Sequence, residues 1–131
     1  MSSSDPPSIR SRKTDHIRLC ASGDVGFRGK TTLLEEVEFL HDALPELALD
    51  EIDVQSSFVG KPLRAPLFIA AMTGGTEPAE RINRELASVA EELGIGFAFG
   101  SQRPLLTEGI TDGYLVRDSA PNALILGNIG M

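Results

Sequence analysis

Between residues 66 and 126 the spacing of apolar positions changes repeatedly, and each change predicts an element. Residues 66–72, Pro-Leu-Phe-Ile-Ala-Ala-Met, form a short continuous apolar run, the pattern of a strand buried on both faces. The run stops at Thr73-Gly74-Gly75, where two glycines allow backbone to approach a ligand closely. Pro78 then stands at a first helical position, Ile82, Leu86, Val89, Ala90 and Leu93 follow at helical spacing, and Gly94 supplies the stop. Residues 95–99 predict a second strand, which ends in Gly100-Ser101-Gln102-Arg103. Residues 112–120, with Tyr114, Leu115 and Val116, predict a short helix broken by Pro121-Asn122, and residues 123–126 a third buried strand. Strand, helix, strand, helix, strand makes two βαβ units, so the fold class is α/β with parallel strands. Polar residues follow the strands, which places the chemistry on one rim of the sheet.

The first half of the chain is less regular. Residues 1–30 hold no sustained periodicity and are rich in Ser, Pro, Gly and charge, which predicts a flexible N-terminal arm. Its first eight residues lack the basic and apolar regions of a signal peptide and read as a disordered leader. Residues 31–64 predict a helix and an extended connection. Thr32 and Glu35 have capping-box spacing, Leu33, Leu34, Val37, Leu40 and Leu44 supply an apolar face, and Pro45 ends the element. Ile52-Asp53-Val54 and residues 58–63 suggest a hairpin turning at Gly60-Lys61. Gly29-Lys30-Thr31 invites a P-loop reading, but Gly23 lies one residue too far upstream and no buried strand precedes it. A loop running into a capped helix is the expectation there.

Composition narrows the partners. The 131 residues carry a net charge of −7, which disfavours a nucleic-acid partner bound through its phosphates, so an anionic ligand needs local positive charge. Arg10, Arg12, Lys13 and Arg18 cluster around His16 and provide such a patch, although taken alone they read as a solvated basic arm. No apolar run approaches the ~20 residues that span a bilayer, so no membrane segment is expected. The lone Cys20 excludes an internal disulfide, reads as a packing residue, and fits a reducing, cytoplasmic setting.

Five motifs add a family resemblance. Arg12-Lys13-Thr14-Asp15-His16-Ile17, His41-Asp42-Ala43-Leu44-Pro45-Glu46, Ala71-Met72-Thr73-Gly74-Gly75, Gly100-Ser101-Gln102-Arg103 and Gly127-Asn128-Ile129-Gly130 occur in one order at compatible spacings. Together they resemble the FMN-dependent type 2 isopentenyl-diphosphate Δ-isomerases. The resemblance implies an FMN-binding TIM (β/α)8 barrel, of which residues 65–131 would be the first βαβαβ segment. Such a barrel takes about 250 residues, so half a barrel is expected here.

The same resemblance assigns roles by position. Ala70, Ala71, Met72 and Thr73 at the first strand end, Ser101 at the second and Asn128 at the third would line the FMN site; on the residues alone, Met72 is a core residue and Gly74-Gly75 a turn. Arg12, Lys13, Ser101, Gln102 and Arg103 would grip the substrate diphosphate, as a bidentate guanidinium or an ammonium suits it. His16 would either donate to that diphosphate or pin the arm to the barrel. The implied reaction interconverts isopentenyl and dimethylallyl diphosphate, with reduced FMN as acid–base agent, Mg²⁺ on the diphosphate and NAD(P)H as the flavin's reductant. The family's Mg²⁺ ligand, its histidine motif and its last phosphate loops would lie beyond Met131. No catalytic or metal residue is therefore assigned within the chain, which reads as a fragment or a truncated relative of a homo-oligomeric enzyme. The competing readings are another FMN barrel of the 2-hydroxy-acid oxidase type and a non-catalytic half-barrel interaction subunit.

Overall fold

A computed structural model of the chain describes residues 8–130. Three parallel strands form its centre: β3 (Phe68–Ile69), β4 (Gly96–Ala98) and β5 (Leu124–Leu126), in that spatial order. An antiparallel hairpin precedes them, β1 (Ser56–Phe58) and β2 (Lys61–Leu63). The helices are α1 (Ile9–Ser22), α2 (Glu77–Leu93) and α3 (Arg103–Glu108).

The crossover helix α2 follows its sequence signals closely. Thr76 caps it by accepting from Ala79 N–H at 3.3 Å, Glu77 and Glu80 place negative charge at the positive end of the helix dipole, and Gly94 at φ +65° turns the chain out. Its buried stripe, however, is Ala79, Asn83, Ala87 and Ala90. The expected face is rotated: Ile82 and Leu86 are half-buried, and Val89 and Leu93 are exposed. Small residues allow the helix to lie close to short strands, and Phe97 on β4 with Phe99 just beyond it supplies the bulk. Phe97, Phe99 and Tyr114 stack edge to face, with centroids 5.2 and 5.7 Å apart.

Four expectations are corrected. The arm is helical over Ile9–Ser22, capped by Ser8, which accepts from Ser11 N–H at 3.1 Å. Apart from Ser8, the expected leader lies outside the described residues. The helix expected from Thr32 to Leu44 is absent; only a 3₁₀ turn, Leu34–Glu36, forms, and Phe39 is 92% exposed. An amphipathic helix this short is marginal without a surface for its apolar face, and the described residues offer none. The helix expected over residues 112–120 is a series of turns, and the crossover helix is α3 instead. Gly113 at φ +80° breaks the pattern and lies on the backbone of Ala79 and Glu80, so this segment follows α2. Finally, the hairpin turns at Val59-Gly60, both at positive φ as a two-residue turn demands, one position before the expected Gly60-Lys61.

Candidate functional site

Because β3, β4 and β5 are parallel, their carboxyl ends open on one side, and the chain closes them with few but specific bonds. Gly100 N–H donates to Thr73 O at 3.2 Å, and a Cβ on Gly100 would stand 2.6 Å from Thr73 N, so glycine permits this approach. Gln102 N–H donates to Asn128 O at 2.6 Å, and Asn128 N–H donates back to the Gln102 side-chain oxygen at 3.1 Å. Asn128 Oδ1 accepts from Gly130 N–H at 3.1 Å. Asn83 on α2 is 2% exposed and donates to Thr73 O at 3.0 Å and Gly113 O at 2.7 Å.

Helix α1 lies across this rim and encloses a cavity of about 660 Å³. One helical face, residues 9, 12, 13, 16, 17, 20 and 21, forms one wall, and Met72, Thr73, Ile82, Ser101, Arg103 and Pro104 form the other. Lys13 Nζ donates to Ser101 O at 3.1 Å and to Tyr114 Oη at 3.2 Å. Tyr114 Oη donates to Ser101 O at 2.7 Å. Burial holds the Lys13 ammonium below its ordinary pKa and pushes the Tyr114 phenol above its own. An ammonium partly stripped of water attracts an anion more strongly than a fully solvated one.

The structure thus brings together seven of the expected residues: Arg12, Lys13, His16, Met72, Thr73, Ser101 and Arg103 line one cavity. Met72 faces that space and is exposed, so it is not the core residue that its apolar run suggests. Ala70, Ala71, Gln102 and Asn128 stand at the strand ends but not on its wall. Gln102 accepts through its side-chain oxygen from Asn128 N–H, just beyond the third strand, and its amide NH₂ is the donor side it could offer an anion. Cys20 is exposed on the cavity wall and is not a packing residue. The arm is pinned by Lys13 and by an Arg10–Asp112 ion pair at 3.1 Å.

Sequence reasoning missed Asn83, Asp112 and Tyr114. Asn83 did leave a signal, as the polar member in phase with Ala79, Ala87 and Ala90 on α2. Among the described residues no three His, Cys, Asp or Glu side chains form a metal site, and no helix is long and apolar enough to cross a membrane.

These features define an α/β unit with a cationic cavity at the carboxyl ends of parallel strands, the usual position of ligand sites in such sheets. No family model matches the chain. It is 46% identical over 123 residues to the isopentenyl-diphosphate delta-isomerase of Oceanobacillus iheyensis, matching 93% of this chain and 35% of that protein. With the isopentenyl-diphosphate delta-isomerase of Mycobacterium marinum the identity is 44% over 131 residues, matching 97% of this chain and 38% of that protein. With that of Methanosarcina acetivorans it is 44% over 121 residues, matching 91% and 33%. The chain spans just over a third of the length of the first of these curated relatives.

Proposed function

We propose that this chain supplies the diphosphate-binding side of an isopentenyl-diphosphate isomerase of the FMN-dependent type 2 class, within a (β/α)8 barrel. The observation that carries the reading is the meeting of Arg12, Lys13, His16, Ser101 and Arg103 around one cavity, from segments nearly ninety residues apart. The identity to proteins named as isomerases supports it. Two arginines and a lysine suit a diphosphate better than the single carboxylate of a 2-hydroxy acid.

The reaction shifts a double bond by adding a proton at one carbon and removing one at another, with no net redox change. The strand-end residues fit a flavin: Ala70 and Ala71 are small and exposed, beside Met72 and Thr73, so a flat ring could approach their backbone. When bound, reduced FMN would supply acid–base chemistry, NAD(P)H serving only to reduce it. Arg12, Lys13 and Arg103 would hold the diphosphate and Ser101 would orient it, while Gln102, off the cavity wall, and Asn128 would fix the third strand end beside the ring. For Mg²⁺ the described residues offer no ligand cluster, so no role within this chain is assigned to it.

The test is an exchange of the matched residues of the Mycobacterium marinum protein for this chain. The chimera should bind FMN and interconvert isopentenyl and dimethylallyl diphosphate. Arg103→Ala should raise KM about tenfold or more without loss of flavin, since a charge-assisted contact is worth about 1.5–3 kcal/mol. A folded chimera without turnover would overturn the isomerase reading and favour an interaction subunit. Turnover without bound flavin would overturn the cofactor assignment.

A further inference from the structure

One side chain not assigned to ligand binding holds the cavity's two walls together. Tyr114 lies in the connection between α3 and β5, yet it is buried, edge to face on Phe99 and so close to Gly74 that any side chain there would collide with its ring. The ring is therefore a fixed post, and its hydroxyl reaches the end of β4. That oxygen donates to Ser101 O and accepts from Lys13 Nζ, while Lys13 also donates to Ser101 O, so the three groups close a triangle. Two residues earlier, Asp112 pairs with Arg10 of α1, and its carbonyl accepts from Gly75 N–H at 2.8 Å. Helix α1 has no fully buried residue, so apolar packing does little to fix its place.

We infer that Tyr114 is a positioning residue whose hydroxyl seats α1 on the end of β4 and aims the Lys13 ammonium at an anion in the cavity, with Asp112 as the second anchor. This rests on the diphosphate-binding reading above. A lysine stem loses much rotamer freedom when it binds a ligand, and a post that orders it beforehand removes that cost from the binding step. The carbonyl of Ser101 belongs to the same strand end as Arg103, so the seat also sets the spacing between the two cations.

The experiment titrates the 131-residue chain with inorganic pyrophosphate by calorimetry, as wild type, Tyr114→Phe, Lys13→Ala and the double variant. Tyr114→Phe keeps the ring, so it should melt cooperatively near wild type yet bind on the order of tenfold more weakly. The double variant should bind no more weakly than Lys13→Ala, because the hydroxyl acts through the ammonium. Equal affinity of wild type and Tyr114→Phe, or fully additive losses, would overturn the inference. A ligand-free arm follows the Lys13 ammonium by nitrogen NMR. Its titration midpoint should lie below that of an ordinary lysine in wild type, where burial lowers it, and fall further in Tyr114→Phe, which keeps the burying ring but removes an acceptor of the charged ammonium. A midpoint that Tyr114→Phe leaves unmoved would overturn the seat whatever pyrophosphate does. Failure of wild type to bind pyrophosphate, with the NMR shift present, would support the seat and overturn the anion site instead.

Discussion

The two ends of the three-stranded sheet are built from similar residue types and serve different ends. At the amino ends of the strands Glu91, Lys61 and Arg117 are bonded to the chain's own groups, mostly backbone. Glu91 accepts from Asn122 N–H at 2.9 Å, from the Asn122 amide at 3.0 Å and from Ala123 N–H, tying α2 to the start of β5. Lys61 donates to Asn122 O at 3.0 Å and ties in the hairpin. Arg117 donates to Ala120 O at 3.2 Å and Ala123 O at 2.9 Å. At the carboxyl ends, Arg12, His16 and Arg103 instead face a cavity, and Lys13 is the cation there that is bonded to backbone. Charges matched to the chain's own groups stabilise the fold, whereas cations grouped around a cavity favour an incoming anion, and the half-buried Lys13 does both. On the proposed reading the first end serves stability and the second binding, in keeping with ligand sites at the carboxyl ends of parallel strands.

That comparison can be broken in order of effect. Asn83→Ala should be the most damaging single change, because it leaves Gly113 O buried without its side-chain donor and takes from Thr73 O one of its two donors, Gly100 N–H being the other; a loss of about 1–3 kcal/mol is expected from urea unfolding. A loss under about 1 kcal/mol would mean that this rim does not depend on the amide. Lys13→Ala should reduce pyrophosphate affinity by roughly a decade while Glu91→Gln leaves it unchanged, and the reverse pattern would erase the functional distinction between the ends.

Acid should act at the opposite end. Burial works to raise the Glu91 carboxyl, but the bonds from Asn122 and Ala123 and the nearby Lys61 charge outweigh it, so its folded pKa lies below the ordinary 4.5. Folding therefore favours the ionised form. The stability it contributes is present above pH 4.5 and is lost as pH falls through the lower folded value. Glu91→Gln should melt at a lower temperature than wild type at neutral pH and show a shallower decline in acid. An identical acid profile in the two proteins would remove Glu91 from the account. The smallest effect is expected for Phe39→Ser, which should change the stability of this chain by less than about 0.5 kcal/mol because the ring packs on nothing described. A larger loss would show that the 31–44 segment is docked in solution.

Reading α2 from sequence succeeded because its signals are local: a cap, a proline in the first turn, a helical period and a terminal glycine act within a few residues of one another. The three strands were legible for the same reason, as short apolar runs closed by glycine or polar residues. Helix α1 escaped because the face that forms its wall carries Arg12, Lys13 and His16 between Ile9 and Ile17, so no hydrophobic period survives. The 31–44 segment failed in the opposite sense. Its apolar period is real, but a period only states which face would be buried if a partner surface were present.

The sequence by itself determined the order and parallel sense of the three core strands and the first crossover helix, and placed Thr73, Ser101 and Asn128 at the strand ends, since apolar runs and glycine stops act locally. Tertiary structure alone decided that α1 crosses those ends, that Tyr114 and Asp112 hold it there, and that Gln102 is bonded to Asn128. These contacts join residues from 26 to 102 positions apart. Charge and hydrogen-bonding capacity are written in each residue, but their partners are set by how the backbone brings distant segments within about 3 Å, which no local pattern encodes.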